Sequence, residues 1–343
     1  MSNPVLVEVI RGNSVESRHR GAIAIVDETG ATVHAIGDVS ASVFPRSAVK
    51  ALQAIPLIES GAAEALDFDE AELALACSSH NGEQIHANTA RGMLRKAGLD
   101  ESALLCGVQW PKHMQDQFEL VKTDQSPCPL HNNCSGKHAG FLAMAKTLGI
   151  PTENYVDYDH PVQRELRQVV EEMTGGILGH DNCGLDGCSI PTYAIELQKT
   201  AHAFAKFGTG AGLAPLRAEA CEQLYEACVN EPYMVAGRDR FCTSVMDLFK
   251  GRAFLKTGAE GVFCASLPEL GFGVALKCDD GGTRGAEAMM AGVLAGLLKL
   301  DNKEHNGLKP WLSQPLHNFS KRHVGDVRVV DDVMRQLQAP KDL

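Results

Sequence analysis

The sequence has no Cys-x-x-Cys pair, no internal repeat and no low-complexity tract. Its longest apolar stretch, Met289 to Leu298, falls well short of the ~18 residues a membrane span requires. The N-terminal residues Met1 to Arg11 lack the basic, then apolar, then small order of a secretory signal, so a cytoplasmic location with reduced thiols is expected. Basic residues are outnumbered, 32 Lys and Arg against 43 Asp and Glu, which argues against a general nucleic-acid binder. What is present is an ordinary globular composition over 343 residues, 44% hydrophobic and 22% charged. The 11 cysteines are odd in number and scattered from Cys77 to Cys278. Without secretion they read as small buried core residues, with a few open to roles as metal ligands or nucleophiles.

Alternating β-branched segments predict strands at Val5 to Ile10, Gly21 to Asp27 and Thr32 to Ile36, with a turn composition at Glu28-Thr29-Gly30. Helical spacing begins after Pro45 and stops at Gly61. Helices are predicted over Glu70–Ala76, Ala87–Ala97, Gly140–Leu148, Pro161–Met173 and Pro191–Phe207. Loops rich in Gly, Asn, Cys and His lie between them, at Cys77–Glu83, Pro127–Gly140 and Gly175–Pro191. Strands return at Ala253–Thr257, Gly261–Leu267 and Gly271–Lys277, followed by an apolar helix, Gly285–Leu300. The tail after Asp301 has weak periodicity. This order predicts an α+β fold: an antiparallel sheet flanked by helices, plus a helical lobe. One domain of two lobes is expected, a sheet lobe from 1–45 and 250–300 and a mostly helical insert from 46–249.

Three groups of residues suggest chemistry. Ser47-Ala48-Val49-Lys50 opens a predicted helix, and i,i+3 spacing puts Ser47 and Lys50 on one face. A serine hydroxyl needs a nearby base, which a lysine of depressed pKa supplies. The motif is cheap by itself. Ser79-His80-Asn81 and Lys256-Thr257-Gly258 follow in the order Ser-x-x-Lys, Ser-x-Asn, Lys-Thr-Gly found in serine β-lactamases and penicillin-binding proteins. The plain alternative for Lys256 and Gly258 is a strand-end lysine and a turn glycine. The third group, Asn132 to His138 and His180 to Cys188, has no place in a β-lactamase. Its thiols and imidazoles suit Zn²⁺, though inert core cysteines are the commoner outcome. Arg46, beside Ser47, is either a carboxylate clamp or a structural arginine.

Assembled, these segments resemble the class 3 (Rhizobium etli-type, asparaginase II) L-asparaginases. The resemblance rests on Glu16-Ser17-Arg18-His19-Arg20-Gly21, Phe44 to Lys50, Cys77-Ser78-Ser79-His80 and Asn132 to His138. It continues through Asp159 to Gln163, Asp186-Gly187-Cys188 and Lys256 to Gly261. It implies a serine β-lactamase/glutaminase-like fold, hydrolysis of L-asparagine to L-aspartate and ammonia, and a homodimer. It implies two Ser–Lys pairs, Ser47 with Lys50 and Ser79 with Lys256. It also implies a zinc site at Cys134, Lys137 and Cys188, with Cys242 nearby. Asn81 stands where such sequences often carry Ser, which leaves it an auxiliary part in substrate binding.

On this reading Ser47 attacks the side-chain amide with Lys50 as base, and Lys256 with Ser79 forms a second relay. Zinc is auxiliary. Asp186 orients a lysine or receives the substrate ammonium. The alternatives are a related serine amidohydrolase acting on glutamine or a β-lactam, a zinc hydrolase whose metal activates water, and a non-catalytic metal-binding module.

Overall fold

The computed structural model describes residues 2–338. Its centre is an eight-stranded antiparallel sheet. The order across it is Ser313–His317, His323–Val329, Val5–Arg11, Ser14–Asp27, Phe272–Cys278, Val262–Leu267 and Phe254–Thr257, with Thr32–Ile36 paired beside Ser14–Asp27. Both ends of the chain therefore supply the sheet, and the residues between Ile36 and Phe254 are mostly helical.

The interior strand Val262–Leu267 is buried along its whole length, as a strand covered on both faces must be. Ser266 points to the Leu197–Thr209 helix, where its hydroxyl donates to the Phe204 carbonyl. Phe263, on the opposite face, meets Phe241 of the Phe241–Phe249 helix edge to face. Phe204, Phe207, Tyr225 and Phe254 form a contiguous aromatic group under the last strand. Burying each such ring contributes roughly 1.5–3 kcal/mol, so this edge of the sheet is held rigidly against the helices. That matters because Lys256 lies on it.

Several expectations are displaced. The described residues of the tail are regular: the Asp301 carboxylate accepts from the Glu304 backbone N–H, the Glu304 carboxylate accepts from the Asp301 backbone N–H, and the Asn302–Leu312 helix follows. That Asp-x-x-Glu capping box was readable in the sequence. Two strands after it add to the sheet beyond Val5–Arg11. The predicted Pro191–Phe207 helix starts only at Leu197. Its first residues pair as short strands, Pro191–Tyr193 with Cys183–Leu185 and Ile195–Glu196 with Ser42–Val43. The helix predicted from Gly140 starts at Ser135, so Lys137 and His138 are helical rather than loop residues. Ser135 and Gly136 read as loop formers, but Gly136 is demanded by packing: a Cβ there would lie 2.3 Å from the Leu75 carbonyl oxygen.

Candidate active site

After Pro45 the chain makes a short 3-10 turn, Arg46–Val49, before the Lys50–Glu59 helix. Arg46 takes a left-handed backbone (φ 51°), a strained setting for a non-glycine residue. This turn lies against the end of the Phe254–Thr257 strand. A Cβ at Gly258 would stand 2.5 Å from the Pro45 carbonyl oxygen and 3.2 Å from the Ala48 nitrogen, so only glycine permits the approach. The Glu70–Ala76 helix delivers Ser78 and Ser79 into the same region, where the Ser79 backbone N–H donates to Val235.

Two lysines meet one serine here. Lys256 Nζ is 2.8 Å from Ser79 Oγ and donates to the Thr257 carbonyl at 2.9 Å. Lys50 Nζ is 3.1 Å from the same Oγ, and donates to the carbonyls of Ser78 at 2.5 Å and Asn133 at 3.2 Å. Three acceptors match the three N–H groups of an ammonium. Lys50 is 0% exposed, Lys256 1% and Ser79 5%. Burial, and after it the positive charge of Lys50, brings Lys256 down to about 7. A buried lysine that is half neutral near pH 7 and touches a serine hydroxyl is equipped to take its proton. Ser47 is half-buried, and none of the hydrogen bonds of Lys50 reaches it.

Arg46 and Asp186 come together: Arg46 Nε donates to Asp186 Oδ1 at 2.6 Å. Burial pushes the Asp186 carboxyl up, but the charges of Lys137 and Arg46 outweigh it and hold the group below its ordinary range. Asn81 is buried with every side-chain atom engaged. Its Nδ2 donates to Glu83 Oε1 at 3.0 Å and the Arg238 carbonyl at 2.9 Å, and its Oδ1 accepts from Arg240 NH1 at 2.9 Å. His80 is neutral through burial; Gly82 N–H donates to its Nδ1, so its Nε2 donates to Ser135 Oγ at 2.9 Å and links the two loops. Arg240 is the site residue that sequence reasoning passed over. It belongs to no spaced motif, and it arrives from the start of the Phe241–Phe249 helix.

The proposed metal ligands also converge. Cys134 caps the Ser135–Thr147 helix, which sets Lys137 three residues on over the same face. Lys137 Nζ is 3.1 Å from Cys188 Sγ, and all three side chains are buried. A hydrogen bond from the Cys188 thiol pulls Cys134 well below its ordinary range and raises Cys188 in turn. Burial acts against the Lys137 ammonium, yet the charges of Cys188 and Cys134 raise it overall. Two sulfurs and one nitrogen converging in a buried pocket form a soft donor set that fits Zn²⁺. Among the described residues a second group, His19, Cys278 and Asp280, has ligand atoms within 4.8 Å of one another. It is internally satisfied, because Arg284 Nε donates to His19 Nε2 and His19 Nδ1 then donates to Asp280 at 2.6 Å. A cleft of about 740 Å³ lies elsewhere, lined by Phe207, Glu222, Tyr225 and Glu226 among others, and contains none of the Ser–Lys cluster.

A helix-covered antiparallel sheet with a serine held between two buried lysines defines a mixed α and β protein equipped for acyl-group chemistry. The model of the family described as L-asparaginase II matches residues 7–329, and the chain belongs to that family. No curated protein matches the chain. Among solved structures, "Crystal Structure Analysis of Mglu" is similar at 14% identity over 79% of this chain and 65% of that one, with a TM-score of 0.36. "Crystal structure of Mglu in its native form in the presence of 4.3M NaCl" is similar at 15% identity over 79% and 59%, with a TM-score of 0.36. The chain thus spans less than two thirds of the length of either solved chain. No helix among the described residues is long and apolar enough to cross a membrane.

Proposed function

We propose that the protein is an amidohydrolase that converts L-asparagine and water to L-aspartate and ammonia, on a serine β-lactamase/glutaminase-like fold. Membership of the L-asparaginase II family supports the substrate class. The observation that carries the chemistry is Ser79 Oγ held between Lys256 at 2.8 Å and Lys50 at 3.1 Å.

Lys256, neutral near pH 7, takes the Ser79 proton as Oγ attacks the side-chain amide carbon. The tetrahedral intermediate collapses with cleavage of the C–N bond. The leaving nitrogen takes the proton back from Lys256 and departs as ammonia. Water then attacks the β-aspartyl ester with Lys256 again as base, which frees L-aspartate and restores Ser79. The fixed Lys50 ammonium stabilises negative charge at the reacting oxygen. Cys134, Lys137 and Cys188 would hold Zn²⁺, with Lys137 giving up its proton. A bound ion supplies fixed positive charge that orders these loops. Arg46 and Asp186 act as a pair bracing the Ser47 turn against the Asp186–Cys188 loop, and the remaining guanidinium N–H groups of Arg46 face substrate. A homodimer in the cytoplasm completes the reading.

A second reading makes Ser47 the nucleophile and Lys50 its base. Ser47 favours it by being half-buried at the start of a helical run, where a substrate reaches it more easily than the 5% exposed Ser79. Ammonia release from L-asparagine, compared with L-glutamine and with opening of a chromogenic β-lactam, tests the activity. No release from asparagine would sink it. Acid-quenching a slow ester substrate and mapping the acylated peptide separates Ser79 from Ser47.

A further inference from the structure

An amino-acid substrate brings a carboxylate into the site, and a half-buried cation without a counter-ion is the natural place for it. Other partly buried arginines of the fold hold a carboxylate. Arg46 has Asp186 at 2.6 Å, Arg217 has Glu59 at 2.5 Å, Arg238 has Asp116 at 2.8 Å, and Arg252 has Glu269 at 2.6 Å. Arg240 has none within ion-pair distance among the described residues. Its NH1 donates to two neutral acceptors, Asn81 Oδ1 at 2.9 Å and the Ser79 carbonyl oxygen at 3.3 Å. Those bonds orient the guanidinium without neutralising it, and its Nε and NH2 remain uncommitted among the described residues. Lys112, Lys256 and Glu287 all lie close enough to feel its charge, and none of them forms an ion pair with it. Burial lifts the Glu287 carboxyl above its ordinary range, while the fields of Arg240 and Lys112 pull it back.

We propose that Arg240 is the residue that binds the α-carboxylate of the substrate, a reading that rests on the amino-acid amide proposed above. The distances agree. In asparagine the carboxylate carbon is three bonds from the amide carbon, so the two lie within about 4 Å. The Arg240 fork touches the backbone of the same residue whose Oγ meets both lysines. A planar guanidinium with a free edge suits a carboxylate in two-point contact, and binding removes the cost of leaving the charge unpaired. Arg46 is the weaker candidate because its Nε is already committed to Asp186. Asn81 becomes a positioning residue. Its Nδ2 is tied to Glu83 and to the Arg238 carbonyl, so its Oδ1 can only face Arg240.

The test compares L-asparagine with 3-aminopropanamide, which is asparagine without its carboxylate. In Arg240→Met, the ratio of kcat/KM for the two should collapse by on the order of 100-fold, mainly through KM for asparagine. Arg240→Lys should recover part of that ratio, because charge returns without the fork. An equal fall on both substrates in a variant that melts with wild type, or no change in the ratio, would overturn the proposal. Wild-type ammonia release tests the asparaginase reading separately. If it is absent, calorimetric binding of L-aspartate decides for Arg240: weakening of tenfold or more in Arg240→Met sustains the role, and equal or no binding to both proteins overturns it.

Discussion

Lys256 and Ser79 are 177 residues apart in the chain, yet Lys256 Nζ lies 2.8 Å from Ser79 Oγ inside a nearly closed site. The lysine comes from the edge of the sheet, and the serine from a loop after the Glu70–Ala76 helix. On the proposed mechanism their contact makes the pKa of Lys256 a functional quantity, and the first prediction follows from it.

Lys256 must be neutral to accept a proton, and burial with the Lys50 charge sets its pKa at about 7. The kcat/KM for asparagine should therefore rise with pH through about 7 and level off above it. In Lys50→Met the repelling charge is gone, so Lys256 holds its proton more tightly and the rising limb of the residual activity should move to higher pH. A pH–rate profile checks both, and a limb that stayed in place in Lys50→Met would remove Lys256 as the base.

Ser79→Ala should lower kcat by at least about 100-fold with a smaller change in KM, since the lost group acts in the transition state. Ser47→Ala should cost less. Steady-state kinetics on the two variants would reverse that order if Ser47 is the nucleophile.

Cys134, Lys137 and Cys188 should together bind about one zinc per chain, and Cys188→Ser should lose it. Metal content after dialysis reads this without reference to turnover. Chelation should also lower the melting temperature of wild type and leave that of Cys188→Ser in place, because binding to the folded state alone stabilises it. Equal zinc content in the two proteins would move the site elsewhere.

Gly258→Ala introduces a Cβ 2.5 Å from the Pro45 carbonyl oxygen. The turn carrying Ser47 must then shift away from the Lys256 strand, at a cost of about 1–3 kcal/mol in stability. Denaturant melts should show that loss, and activity should fall further than stability.

Asp301→Ala removes the capping box that starts the Asn302–Leu312 helix and should cost ~1 kcal/mol. Its effect on kcat should be negligible. A large loss of activity would mean that the tail shapes the site.

The strands at Val5–Arg11 and Thr32–Ile36 and those from Phe254 to Cys278 were legible because alternation and β-branching are local signals that packing here reinforces, whereas the strand expected from Gly21 begins at Ser14, where the residues are polar. The late start of the Leu197–Thr209 helix was not, because Pro191–Tyr193 is extended only by pairing with Cys183–Leu185. The early start of the helix at Ser135 was hidden for a similar reason. Ser and Gly are poor helix formers; the close approach of Leu75 explains the glycine, and the bond to His80 the serine. For the site, the residue types and their order along the chain could be read. The pairing of Ser79 with Lys256 that the resemblance implies matches a 2.8 Å contact, but the second partner could not be read, since Ser-x-x-Lys spacing suggests Ser47 for Lys50 whereas the fold delivers Ser79 to it.

The amino-acid order alone thus settles which side chains are available: two serines, two lysines, and thiols beside a third lysine. It also settles the helix and strand periods that carry them. The tertiary structure decides what those groups are chemically. Burying Lys256 beside Lys50 is what lowers its pKa, and the lack of an ion-pair partner among the described residues is what leaves the Arg240 charge free. Both are sums over neighbours brought together from distant parts of the chain, and such sums exist only once it has folded.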